Sequence, residues 1–402
     1  MGKHLLILAD PYGKPSFAPR LRYLCDYLTR KGWDLDVYTE QWDELCFEHN
    51  YPITEVQLYK GQRGSLLHGI DWAIKAAAGL LFDWKDNAFA REVKRQTAKR
   101  QYDAVLCTTF STFPLPAALE VAREKHIPLY CDIRDLDEQV GGAQYQSHRS
   151  WWTKAFHTWY SRVNIRRRNR ILKQAKAITT VSPWHVDFLK KINPQTSLIY
   201  NGFNPQIHFF EPVRTEQFII SYIGRLYEQH SQDPTLLFEA ISRLKDEMPE
   251  LLFTVHTDEK GRETLRQLVR QYGIADRAEI NGYVSIDAVP GLYRESSICV
   301  VLSNKAYGAG PKGMMTTKFF EIVGSEKPLL LVRSDEAHLE AAIRETNAGA
   351  AARTTDEAIA FIREVYQQWK VQGYTHQAVN KAAVQLFNRE AESAQFEQLL
   401  LK

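Results

Sequence analysis

The stretch Gly313–Val332, GMMTTKFFEIVGSEKPLLLV, decides how the chain is read. It runs from a glycine through two threonines into a helix, then into an apolar strand. Lys318 and Glu321 stand three residues apart, a spacing that puts both side chains on one helix face. Gly308, Gly310 and Gly313 give the preceding loop the freedom to bring backbone close to a ligand. A helix start favours anions, because its first amides are unpaired and its dipole is positive. An ordinary loop-to-helix turn with a surface ion pair has the same sequence. The rest of the chain decides between the two.

Working outward, apolar strands alternate with helical stretches almost throughout. In the first half they are His4–Ala9, Asp34–Thr39, Tyr102–Thr109, Ile127–Ile133 and Ala177–Ser182, with a helix at Ala18–Arg30. In the second they are Phe218–Gly224, Leu251–Thr257, Ala278–Val284, Ile298–Ser303 and Pro328–Val332. Continuous apolar strands separated by helices imply parallel sheets covered on both faces. The loop NGFNPQIHFFEPV, Asn201–Val213, separates the two series. The expected fold is α/β, with two Rossmann-like doubly wound domains facing a cleft. The domains are placed at 1–203 and 204–375, with a helix in 376–402 returning to the first. Ligands of such sheets lie at the carboxyl ends of the strands.

Composition narrows the class. Hydrophobic residues at 44 % and charged residues at 25 % are ordinary globular values. The apolar run Leu5–Ala9 is too short for a leader. No run of about 18 apolar residues exists, so no spanning helix is expected. Five cysteines, without a CxxC pair, argue against a zinc site or a disulfide frame. The net charge of +3 is unevenly divided: residues 1–200 carry 29 Lys+Arg against 21 Asp+Glu, residues 201–402 carry 22 against 27. The first half is therefore expected to meet something anionic.

Three constellations fall at strand ends. DPYGKPSFAPR, Asp10–Arg20, follows the first strand. CDIRDLDEQ, Cys131–Gln139, supplies Asp132, Arg134 and Asp135 as candidate catalytic residues, the first two on one side of the strand while it lasts. IGRLYEQHSQDP, Ile223–Pro234, puts Arg225 straight after a strand, where a guanidinium meets phosphate oxygens well. Gly224, Arg225, Gly313, Thr316, Thr317, Lys318 and Glu321 are the candidate ligand contacts around this strand end and the helix start. Asp135-Leu136-Asp137 spells a DxD, but Asp34-Leu35-Asp36 does too and no further ligands cluster, so no metal is assigned. No GxSxG, HExxH, P-loop, kinase set or GxGxxG is present, and no cofactor is expected.

The chain resembles the retaining glycosyltransferases of family 4, which have the GT-B fold. The resemblance rests on YCDIRD, TTVSPWHVDFLKK and IYNGF in the first half. In the second it rests on ISYIGRLY, INGYVS, TTKFFEIVGSEKPLLLV and ETNAGA, in that order. It implies a nucleoside-diphosphate sugar, such as a UDP-sugar, in the second domain and an acceptor at the first. It implies hexosyl transfer with retention of configuration. Glu321 matches the final glutamate of the family's E-x7-E motif, which commonly binds ribose, and Arg225 matches the residue that contacts the diphosphate. Gly313 stands where the first glutamate is usual. Gln229, His230 and Ser231 occupy the stretch where a second phosphate-binding lysine is usual, and Lys318 is placed to replace its charge. A nucleotide-binding scaffold subunit and a sugar-nucleotide epimerase are the alternative readings.

Two segments bear on the acceptor. Gly64–Trp84 is an apolar-rich helix candidate. Ser150–Lys176 joins Trp151, Trp152, Phe156, Trp159 and Tyr160 to Arg162, Arg166, Arg167, Arg168 and Arg170. Aromatic and basic residues on one helix suit a membrane interface, and equally a core helix with a solvated basic face. The expected partners are a donor nucleotide sugar, a glycan or lipid-linked acceptor of polysaccharide biosynthesis and a membrane surface, without nucleic acid. The expected location is cytoplasmic, peripheral on the inner face of the membrane.

Overall fold

The computed structural model describes residues 3–12, 19–41, 47–61, 64–79, 83–138, 151–207, 211–226, 232–302, 313–332 and 337–402. The chain forms two compact units: Met1–Tyr200 with Ser393–Lys402, and Asn201–Glu392.

The first unit holds β1 (His4–Ala9), β2 (Asp34–Glu40), β3 (Ile53–Val56), β4 (Ala104–Thr109), β5 (Leu129–Ile133), β6 (Ala177–Thr180) and β7 (Thr196–Leu198). They make one parallel sheet in the order β3-β2-β1-β4-β5-β6-β7. Its apolar runs are continuous because each strand feeds two cores. Leu6 and Leu8 of β1 enter one cluster, Leu5, Ile7 and Ala9 the other. The alternation is the period-two geometry of a strand buried on both faces.

Five helices of this unit are α1 (Pro19–Arg30), α2 (Leu66–Gly79), α3 (Trp84–Thr97), α4 (Leu115–Glu124) and α5 (Trp151–Leu172). Within the apolar stretch from Gly64 to Trp84, Leu66–Gly79 is helical and a helix also begins at Trp84, while residues 80–82 lie outside the described residues. The second core cluster is completed by the helix Arg389–Leu400, whose Phe396 and Leu400 are buried in it. Glu397 of that helix accepts hydrogen bonds from Tyr27 Oη of α1 and from Trp33 Nε1, each at 3.0 Å.

The second unit holds β8 (Phe218–Ile223), β9 (Leu251–His256), β10 (Ala278–Asn281), β11 (Ile298–Leu302), β12 (Leu329–Val332) and β13 (Gly349–Ala352). The order is β10-β9-β8-β11-β12-β13, again all parallel. In both sheets the order reverses beside the first strand of the unit. Such switch points open a crevice at the strands' carboxyl ends. These two Rossmann-like sheets make the GT-B fold.

The basic run in α5 is not one solvated face. Arg168 is buried, with hydrogen bonds to Glu138 at 2.6 and 2.9 Å. Arg167 reaches Asp83 at 2.7 Å and Asp86 at 3.4 Å. Arg162, Arg166 and Arg170 are exposed. No helix among the described residues is long and apolar enough to cross a membrane.

Candidate active site

The site forms in the second unit, where loops leave β8, β9 and β10. The helix Thr317–Gly324 begins after Thr316, whose backbone is extended and whose side chain makes no capping bond. Gly313 precedes it in a left-handed conformation, φ +65°. Gly308 and Gly310 lie outside the described residues. Phe319, Phe320, Ile322 and Val323 are buried. That apolar face pins the helix, and Lys318 and Glu321 take the remaining face together.

A cavity of about 170 Å³ receives them, lined also by Gly224, His256, Tyr283 and Tyr293. Gly224 has φ +135°. A Cβ there would strike the side chain of Lys318. Glycine at the end of β8 is therefore what lets the lysine lie across the strand end. The Lys318 ammonium sits 5.4 Å from the centre of the Tyr222 ring. Burial pushes its pKa down, against the pull of Glu321. Burial pushes the Glu321 carboxyl up, offset by Arg389 and Lys318. An anion entering the cavity favours the charged form of Lys318, since opposite charge nearby stabilises it.

The loop after β8 is held by three bonds. Gly224 N donates to the His256 carbonyl at 2.8 Å, Leu226 N to Thr257 Oγ1 at 3.2 Å, and Tyr222 Oη to the Arg225 carbonyl at 2.8 Å. Arg225 is exposed on this loop, and it does not line the cavity. Burial lowers the pKa of His256, while a hydrogen bond to the Gly282 backbone raises it. Its Nδ1 is buried without a hydrogen-bond partner among the described residues.

The structure thus brings Gly224, Thr317, Lys318 and Glu321 together around one cavity. His256, Tyr283 and Tyr293 join them from other segments and were not picked out by sequence; a histidine ending a strand carries no distinguishing signal until its neighbours are known. The stretch Gln229–Ser231 lies outside the described residues.

The candidates of the first unit are placed otherwise. Asp132 stands on β5 between its register partners Thr108 and Thr179. It accepts from Arg20 Nη2 at 2.9 Å, Thr108 Oγ1 at 3.1 Å and Thr179 Oγ1 at 2.6 Å, and is 3 % exposed. Arg20 also donates to the carbonyls of Ile199 and Tyr200. Asp132 is thus held inside the sheet. Arg134 turns to buried Asp10, meeting its carboxylate at 2.6 and 2.5 Å. Burial raises Asp10 to about 6 even against the downward pull of Arg134. Asp135 is exposed after β5. No group of three metal-ligating side chains occurs among the described residues.

The fold is the GT-B architecture, with this cavity at the strand ends of its second sheet. Residues 19–207 match the model described as Glycosyltransferase Family 4, and residues 203–358 match Glycosyl transferases group 1. The chain belongs to glycosyltransferase family 4. No curated protein matches it by sequence. Solved structures similar to it include sucrose-phosphate synthase from Thermosynechococcus elongatus, with a TM-score of 0.68 at 17 % identity, covering 99 % of this chain and 98 % of that one. Another is HepE from Anabaena in complex with UDP, with a TM-score of 0.66 at 15 % identity, covering 100 % and 99 %. A third is the lipopolysaccharide outer core galactosyltransferase WaaB, with a TM-score of 0.62 at 11 % identity, covering 99 % of each chain. At these identities the likeness speaks for the fold.

Proposed function

We propose that the chain moves a sugar from a nucleoside-diphosphate sugar to a glycan or lipid-linked acceptor, with retention of configuration and without a metal. The observation that carries this reading is the meeting of Lys318 and Glu321 with Gly224 around one cavity. The bond to the diphosphate breaks as the acceptor oxygen attacks the anomeric carbon, so charge develops on the leaving oxygens. Preorganised positive groups stabilise such charge most effectively. Lys318 and the first amides of its helix supply them in the cavity, and exposed Arg225 completes the set from the loop. Glu321, one turn in, accepts hydrogen bonds from the ribose hydroxyls. Asp135 is the candidate of the first unit that stands on an open surface, and acceptor contact is assigned there. Structures of HepE hold UDP and UDP-glucose, which supports a uridine nucleotide as the first donor to try.

Titration calorimetry with UDP and GDP, followed by turnover of the bound donor with and without acceptor in EDTA, tests the reading. Transfer that needs an acceptor and survives EDTA is expected. Epimerised donor without acceptor marks an epimerase, and binding without turnover marks a scaffold. Absence of binding by every nucleoside diphosphate overturns the donor site.

A further inference from the structure

Three side chains meet at the cavity of the second unit with hydrogen-bonding capacity to spare. Lys318 and Glu321 come from the helix Thr317–Gly324, and Tyr293 comes from the helix Val289–Glu295. Among the described residues, the Lys318 ammonium, the Glu321 carboxylate and the Tyr293 hydroxyl make no hydrogen bond to one another or to any other group. Their ends are not sealed in the protein either. Enclosed polar atoms without a partner occur in this unit at His256 Nδ1 and Arg262 Nε, but not at these three groups. The three therefore face the cavity. Thr317 and Tyr283 also line it, but both are exposed to solvent.

Tyr293 is held in place firmly. Its ring is 2 % exposed, and Pro290, three residues earlier on the same face, is buried with it. The segment that follows its helix is tied to β8. Ser296 Oγ and Ser221 Oγ are 2.6 Å apart, and Ser297 N donates to the Ile219 carbonyl at 2.7 Å. Core packing accounts for the ring but not for the hydroxyl. Phenylalanine fills the same space, and a buried tyrosine hydroxyl ordinarily has a partner. Burial and the charge of Glu321 push the phenol pKa well above its usual range. The hydroxyl keeps its proton and is available to donate.

A phenol beside a carboxylate selects what lies between them. A phosphate oxygen only accepts, and the carboxylate repels it. A sugar hydroxyl accepts and donates, so it takes the phenol's hydrogen bond and gives its own to the carboxylate. Each bond of such a chain strengthens the next. Lys318, one turn nearer the helix start, suits the anionic part of the same ligand. Phosphate at one end and hydroxyls adjoining it describe a ribonucleotide.

We propose that Tyr293 is a further nucleotide-binding residue: its hydroxyl donates to a ribose hydroxyl that in turn donates to Glu321, and the pair selects ribonucleotides over their deoxy counterparts. The proposal rests on the nucleotide-sugar reading of this cavity. A site built to hydrogen-bond a hydroxyl rejects the analogue that lacks it, because its own polar groups are then left unpaired.

The test is titration calorimetry of the full chain and of Tyr293→Phe with whichever of UDP and GDP binds, and with the 2′-deoxy and 3′-deoxy forms of that nucleotide. Wild-type protein should bind one of the deoxy forms at least about tenfold more weakly than the ribonucleotide. Tyr293→Phe should bind the ribonucleotide roughly threefold to tenfold more weakly than wild type does. For that same deoxy form, the variant and the wild type should bind about equally. A tyrosine with a merely structural role would weaken all three ligands alike when replaced. Thermal melts followed by circular dichroism check that the variant folds. If it does not, the wild-type comparison still decides: equal affinity for the ribonucleotide and both deoxy forms overturns the proposal. So does a folded variant that binds the ribonucleotide like wild type, or one that loses the same factor on all three ligands. These outcomes leave the nucleotide-sugar reading standing. Wild-type protein that binds neither UDP nor GDP overturns that reading and this proposal with it.

Discussion

Lys318 occupies the space that a side chain on Gly224 needs: its Nζ stands 2.8 Å from where a Cβ would be. The two residues are 94 positions apart in sequence, and each makes sense only beside the other. Gly224→Ala should therefore displace the lysine and strain a backbone held at φ +135°. A cost of about 1–3 kcal/mol is expected for a non-glycine residue there. Calorimetry should show UDP affinity lowered at least about tenfold, and an unchanged affinity contradicts the packing of lysine on glycine.

Glu321→Gln separates binding from stability. Hydrogen bonds to a charged group contribute about 1.5–3 kcal/mol, so affinity for UDP should fall roughly tenfold to a hundredfold. Gln has the same shape, and burial already works against the charged carboxyl, so the melting temperature should change little while affinity falls. A large drop in melting temperature with intact affinity would make Glu321 a structural residue.

Asp132→Ala should show the opposite pattern. Removing one partner of a buried ion pair costs about 3–5 kcal/mol, and here Arg20 is left facing two threonines and two carbonyls. Chemical denaturation should report that loss, while UDP binding in the other unit stays intact. A stable but inactive variant would return Asp132 to the chemistry.

His185 sets a pH dependence. It is buried, with Nδ1 3.0 Å from Thr180 Oγ1, and burial lowers its pKa from 6.5 to about 4. The unfolded chain then binds more protons than the native one between these values. The stabilising contribution is fully present above pH 6.5 and is lost as pH falls toward 4. Between pH 8 and pH 5 the first unit should lose about 2 kcal/mol. His185→Asn should flatten that slope in denaturation curves taken at the two pH values, and an unaltered slope assigns it to other groups.

The strands that were plain in sequence are those buried on both faces, such as β1, β11 and β12, whose apolar runs are unbroken. β3, β7 and β13 were not. They are edge strands of three or four residues, and TSL or GAAA carries no apolar run to detect. Lys318 and Glu321 were legible because helix periodicity relates neighbours. Gly224 and Arg225 were legible through the strand-end rule, yet which of them would face the cavity was not. His256 and Tyr293 reach the site only through the sheet order, a long-range property that local spacing does not encode. Which arginines of α5 would be solvated was not legible for the same reason, since the carboxylates that engage Arg167 and Arg168 lie some 30 to 84 residues away in sequence.

Phe396, Leu400 and Glu397 complete the core and the α1 contacts of the first unit, yet they are synthesised after the whole second unit. On the ribosome the first unit emerges with that side of its core unfilled, and it stays so until the final helix arrives. The second unit faces no such delay, because its chain is one continuous segment. Domains usually mature in order of synthesis; in this chain the unit made first is the last to be finished.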